Sequence, residues 1–431
     1  MSSQKMGFWR VTSLVTGSQI GSGIFLLPIS LVAFGAAGVA SWFVSGSGAM
    51  MLALVFARLC GHIPKTGGPH TFIESAFGEK LGFFSAWTYW VISWLSTSLV
   101  VVATVAYLSP FLGNPAPIVN LSLQLFIILI VTYLNLLGTR SPAWVELLLT
   151  VLKLLPIFLI PIAGIFFFNK SHFFPFNPTS DSTIHVVNAA ALLTFWGFIG
   201  VESATTPADA VENPQKTIPK AIVFGTFMVT IVYIFSSTII MGVVSPQSLA
   251  ISKAPFADAA QIIFGGNFYL LVSVTAAVVC FGNLKSWVLT SSQIALGAAA
   301  DGHLPQIFAI KNAKGVPKWG IIISSIGMCP VLILAMNQSL VALVNFIIDI
   351  SVTAFLFIYL LSVLSYLKIF WRNQVSGKIA KLTFLIGFSA LIFCVWILYS
   401  SGIQVIACAS IIVFAGVPVY LWKTKRGFAK V

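Results

Sequence analysis

The chain is expected to be an all-α integral membrane protein with twelve transmembrane helices, and three observations predict it. Hydrophobic residues make up 58% of its 431 positions and charged residues only 8%, a balance outside the range of soluble domains. The apolar residues fall in runs of about twenty, the length that crosses a bilayer as a helix. The basic residues between those runs are segregated to one side, as the positive-inside rule requires.

Taken in order, the spans are residues 11–35, 39–57, 81–108, 118–137, 144–168, 186–201, 221–244, 268–299, 319–336, 341–367, 382–399 and 405–421. Several exceed the usual length, which implies tilt or helical extension beyond the bilayer. The first span has no small-residue cleavage pattern and carries Gly21-Ser22-Gly23 at its centre, so it reads as a mature span rather than a signal peptide. With the N-terminus inside, the internal segments and helix ends hold basic residues from Lys5, Arg10 and Arg58 to the Lys423, Lys425, Arg426 and Lys430 tail. The opposite side holds Lys170 and Lys253, and Lys153 and Lys285 fall inside spans. This asymmetry predicts a multi-pass protein of the cell (inner) membrane with both termini cytoplasmic. It also accounts for the formal charge of +13 without a nucleic-acid partner.

Between spans two and three, Pro64-Lys65-Thr66-Gly67-Gly68-Pro69 reads as a turn leading into a short amphipathic helix on the cytoplasmic side. Residues 169–182 form a polar external loop, and 311–318 a basic internal one. Cys60, Cys280, Cys329, Cys394 and Cys408 lie in or beside spans with no paired spacing, and the five histidines have no ligand spacing. No disulfide framework, metal or cofactor is expected.

The informative irregularities are in spans one and six. Gly21-Ser22-Gly23 interrupts the first near mid-depth; Gly200 and the charged Glu202 interrupt the sixth. Counted five spans per half, these are equivalent positions of two repeats, and an odd repeat length forces the second copy to be inverted. The single domain, 1–431, then divides into a first repeat (11–168), a second (186–367) and two appended helices (382–421). Matched interruptions of this kind point to a transporter's substrate site. A broken helix offers backbone N–H groups at one half-helix start and carbonyls at the other end, which together suit the zwitterionic head of an amino acid. Gly-Ser-Gly alone is equally well read as a packing aid; the second break decides for the site. Glu202 is a functional candidate because a carboxylate inside a span is expensive. The bland alternative puts it hydrated at the membrane edge. On span three, Tyr89, Ser93, Thr97 and Val100 recur on one helical face.

These residues resemble the amino acid–polyamine–organocation superfamily, and within it the basic amino acid/polyamine antiporters, nearest to the members that exchange arginine for agmatine. The resemblance rests on Gly21-Ser22-Gly23-Ile24-Phe25, Tyr89-Trp90, the run from Trp196 to Ser203, Glu212-Asn213-Pro214, Ile218-Pro219, Ser286-Trp287 and Asp301-Gly302. It implies a LeuT-like five-plus-five inverted repeat with discontinuous helices one and six. It implies a substrate-binding set of Ser18, Ile20, Ser22, Gly23, Ser93, Thr97, Val100, Trp196, Ile199, Trp287 and Ser351. Ser22 and Gly23 would meet the carboxylate, and carbonyls of residues 196–199 the amino group. Tyr89, Trp196, Glu202 and Tyr359 are the implied gating residues, with Glu202 the carboxylate that answers to protons.

Departures from the arginine-exchanging pattern occur in three places: Lys153, the pair Lys285 and Asp349, and Thr97. Lys153 resembles the span-five lysine of proton-coupled relatives, whose ammonium stands where sodium-coupled transporters hold sodium; it is either a proton carrier or a charged strut. Lys285 and Asp349 each lie two residues from an implied pocket position, Trp287 and Ser351, so helical geometry turns them away and favours an ion pair. The third departure is Thr97, which replaces an amide and weakens an arginine assignment. The resulting expectation is a secondary active amino acid transporter working by alternating access, exchanging an amino acid, arginine or another cationic one among the candidates, for its amine product or another amino acid. The alternative is a proton-coupled, sodium-independent permease. A channel would need a continuous polar path, and an enzyme a clustered reactive set that is not found. The expected partners are an amino acid or polyamine, protons and the lipid bilayer, and the resemblance allows a homodimer.

Overall fold

The computed structural model describes residues 5–65, 67–113, 115–138, 143–206, 208–372 and 377–426. Its order is α1 (Phe8–Gln19), α2 (Ser22–Leu31), α3 (Gly35–His62), α4 (Pro69–Phe77), α5 (Glu79–Ala106), the single turn α6 (Ser109–Leu112), α7 (Pro117–Leu136) and α8 (Ala143–Gly164). There follow α9 (Thr183–Phe195), α10 (Pro214–Val243), α11 (Pro246–Ala250), α12 (Pro255–Phe264), α13 (Phe268–Ala300), α14 (Lys318–Leu334), α15 (Leu340–Arg372), α16 (Gly377–Phe414) and α17 (Val417–Arg426). Among the described residues, 8 helical segments are long and apolar enough to cross a membrane, and shorter apolar helices accompany them. The only β pairing among them is two isolated bridges.

Proline marks many of the starts. Pro69, Pro117, Pro214, Pro246 and Pro255 each open a helix, where the missing N–H costs nothing and the fixed φ already suits the helix. The short helix expected after span two is α4. Helices α11 and α12, between expected spans seven and eight, were not anticipated. They are too short to span, and their apolar face, including Phe256, Ala260 and Ile263, is buried against the bundle. Gly402, at φ 78°, breaks the helical run between expected spans eleven and twelve, and a turn at 415–416 divides expected span twelve before α17.

Helix α3 packs on α9 and α10, α5 packs on α13 and α15, and α1 packs on α10. Small residues permit the close approaches. A Cβ on Gly46 would lie 2.6 Å from Thr230 of α10, and one on Gly225 would lie 2.9 Å from Val15 of α1. Without water to drive apolar surfaces together in a bilayer, such close packing carries much of the helix association.

Candidate functional site

The first expected span is two helices. Ile20 leaves α1 at φ −73°, ψ 89°, and Gly21 follows at φ −120°, ψ −145°, so the chain unwinds for two residues before α2 restarts at Ser22. No side chain caps that restart, which leaves the first N–H groups of α2 without intrahelical partners. The sixth expected span is helical only to Phe195. It continues as a 3-10 turn at Trp196–Phe198, extends at Ile199 (ψ 132°), reverses at Gly200 (φ +100°) and resumes as 3-10 turns at Ser203–Thr205 and Ala208–Ala210. Glycine at 200 is required twice: its φ is left-handed, and a Cβ there would lie 3.1 Å from Ser18.

The two breaks abut. Ser18 Oγ lies 3.1 Å from the Gly200 carbonyl and 2.8 Å from Ser203 Oγ. The uncapped start of α2 and the carbonyl end of α9 therefore bring opposite partial charges to one place. A small cavity of about 30 Å³ sits there, lined by Ser18, Gly23, Thr97, Val100, Trp196, Ile199 and Trp287 together with Gln19, Gly21, Ser96 and Asn283. That is room for one or two waters, so an amino acid enters only after side chains move. Trp196 is the obvious cover: a Cβ on Gly23 would lie 3.0 Å from its Cδ1, so the indole rests on the bare backbone of α2.

Several expected residues are elsewhere. Ser93 donates to Ser291 at 2.9 Å and sits a turn below Thr97, whose hydroxyl donates to the Ser93 carbonyl at 2.6 Å. Ile20 is buried beside the break, and Ser351 is fully buried with no hydrogen-bond partner among the described residues, but neither lines the cavity. The side chains of Ser22 and Lys153 lie outside the described residues. A contact of Lys285 with Asp349, one of the two pairings expected for them, the other being with another intramembrane charge, is not among the ion pairs of the described residues; the Lys285 backbone carbonyl accepts from Asn135 Nδ2 at 3.2 Å.

Glu202 is not hydrated at a membrane edge. It is completely buried and receives two hydrogen bonds, from Tyr89 Oη at 2.9 Å and from Tyr359 Oη at 2.6 Å. Three of the four expected gating residues, Tyr89, Glu202 and Tyr359, thus form one cluster below the break. Phe56, Phe195 and Phe355 pack around the Tyr359 ring with centroids 5.5, 6.2 and 6.0 Å away, closing an aromatic floor. A carboxylate so enclosed needs both donors, because each unmet acceptor in an apolar interior is costly.

The residues that sequence reasoning missed are Gln19, Ser96 and Asn283. Asn283 stands four residues before Trp287, on the same face of α13, and its amide occupies the space beside Gly21, where a Cβ would lie 2.7 Å away. Its spacing from Trp287 was the available signal.

The amino acid permease family model matches residues 6–421. The cadaverine/lysine antiporter of Escherichia coli is 34% identical over 343 residues, covering 77% of this chain and 75% of that protein. The putrescine transporter PotE of Haemophilus influenzae is 29% identical over 420 residues, covering 97% of both. Its Escherichia coli counterpart is 29% identical over 421 residues, covering 97% of this chain and 96% of that protein. The chain belongs to the amino acid permease family, among relatives that include a cadaverine/lysine antiporter and putrescine transporters.

Proposed function

We propose that this protein is a secondary transporter that exchanges amino acids, or an amino acid for its amine product, across the cell membrane by alternating access. The observation that carries the reading is the abutment of two helix breaks around one small cavity, with the uncapped N-terminus of α2 and the carbonyl end of α9 converging on it. Such a pair holds a carboxylate and an ammonium at once. The two breaks fall at corresponding positions of the proposed inverted repeats, 11–168 and 186–367, with 382–421 appended. Trp196 is the cover on one side of the substrate, and Tyr89, Glu202 and Tyr359 form the closed gate on the other.

The cavity lining contains no Asp, Glu, Lys or Arg among the described residues. A neutral lining suits the balanced charges of an amino acid head, with Trp196 and Trp287 offering ring faces to an aliphatic or cationic side chain. A diamine would bring two ammonium groups and no carboxylate for the N–H groups of α2. Among the substrates named for the relatives, lysine therefore fits this lining better than either diamine, cadaverine or putrescine. The test is counterflow in vesicles of purified protein: labelled lysine enters vesicles preloaded with lysine or cadaverine and stays outside empty ones. Equal entry into empty vesicles would overturn exchange.

The buried carboxylate in the gate favours a second reading, proton-coupled uptake without sodium. In that case a proton gradient alone drives accumulation into empty vesicles.

A further inference from the structure

Away from the substrate cavity, at the end of the bundle that the charge pattern assigns to the cytoplasm, four elements meet in a cluster of six ionisable side chains. Helix α4 supplies His70 and Glu74, the segment after α13 supplies Asp301 and His303, α5 supplies Glu79, and α17 supplies Lys423. His70 Nε2 lies 2.9 Å from Asp301 Oδ2, and His303 Nε2 lies 2.9 Å from Glu74 Oε2. The pairs therefore cross: each histidine reaches a carboxylate on the other's element. Both imidazoles are at most 1% exposed, and their rings meet edge to face at 5.8 Å. Lys423 Nζ bonds Glu79 at 2.7 Å, lies over the Phe83 ring at 5.7 Å, and approaches His303 Nδ1 at 3.4 Å.

That last contact fixes the state of His303. An ammonium has three donors and no acceptor, so Nδ1 must accept, and the imidazole is neutral with its proton on Nε2, donated to Glu74. Burial, acting first, holds this imidazole below the ordinary histidine range, with His70 and Lys423 pushing the same way and Glu74 opposing. A second proton can go only to Nδ1, where it would face the ammonium.

We propose that His303 is a proton-operated latch for the C-terminal helix: neutral, it holds Lys423 and hence α17 against the segment that follows α13; protonated, it expels them. The sign follows from linkage. The latched form binds the proton less readily than the open form, whose imidazole is hydrated and titrates near about 6.5. Latching is therefore complete above that value and is lost progressively as the pH falls below it. Once displaced, Lys423 retains Glu79, which is 62% exposed, and the pair is hydrated away from the cluster. Protonated His303 still donates Nε2–H to Glu74, now as a charge-assisted bond, so α4 stays in place and acid releases α17 alone.

The experiment is hydrogen exchange on the full chain in nanodiscs, following the amides of 417–426 with intrinsic rates corrected for pH. Wild type should exchange about tenfold faster at roughly pH 5.5 than at roughly pH 7.5. His303→Gln keeps a neutral donor for Glu74 and should respond little to pH. Lys423→Gln carries an amide that either donates to Nδ1 or accepts from Nδ1–H, so it too should lose the response, and it serves should the histidine variant fail to fold. A wild type with no acid response, or either variant with the wild-type response, overturns the latch.

Discussion

The Tyr359 hydroxyl donates to Glu202 Oε2 at 2.6 Å, tying α15 to the unwound segment that follows α9. Tyr89 completes the clamp from α5. Three elements are thereby held closed by one carboxylate, which makes the gate sensitive to the removal of a single donor or of the charge.

Glu202→Gln removes the charge while keeping the shape. The amide oxygen still accepts from one tyrosine, whereas its NH₂ cannot accept from the other. Uptake by reconstituted vesicles should lose most of its pH dependence while the protein remains folded. A pH profile like that of wild type would remove Glu202 from proton coupling.

Tyr359→Phe removes one of the two side-chain donors to a buried carboxylate, a loss of about 1–3 kcal/mol to the closed gate. The thermal unfolding midpoint should fall, and so should that of Tyr89→Phe. An unchanged midpoint in both would mean that the clamp contributes nothing to the resting state.

Two neighbouring glycines should behave differently. Gly23→Ala pushes a methyl group to 3.0 Å from the Trp196 ring, and a packed indole yields poorly, so substrate affinity should drop about tenfold. Gly21→Ala meets the end of the Asn283 side chain at 2.7 Å, which can swing aside. Its loss should be smaller and should be recovered in Gly21→Ala with Asn283→Ala. Calorimetric titration with lysine distinguishes the outcomes.

Away from the site, a Cβ on Gly48 of α3 would lie 2.1 Å from the Phe393 ring of α16. Gly48→Ala should destabilise the protein by about 1–3 kcal/mol through overpacking, and Phe393→Leu in the same chain should restore much of it. Thermal unfolding of the single and double variants provides the comparison.

Most of the helices and both breaks were legible in the sequence, because both depend on local chemistry. Long apolar runs leave water as helices whatever their neighbours, and Gly21 and Gly200 advertise backbone that leaves the helix. Shorter elements were not legible. Helices α11 and α12 resemble loop by length, and only the surface they cover makes them helices. Of the expected site residues, Ser18, Gly23, Thr97, Val100, Trp196, Ile199 and Trp287 line the small cavity, whereas Ser93 and Ser351 sit off it: a helical face names which residues share a side and says nothing of how far along it the ligand space extends.

By itself, then, the sequence determined a membrane-embedded helical transporter with two broken helices and an expensive carboxylate beside one of them. Only the tertiary structure decided what that carboxylate meets. Glu202 lies 113 residues from Tyr89 and 157 from Tyr359, and the crossed histidine pairs span 231 and 229 residues. No local pattern encodes such partners. They are chosen by the packing of whole helices, which brings buried polar groups together because each one left alone would be too costly to bury.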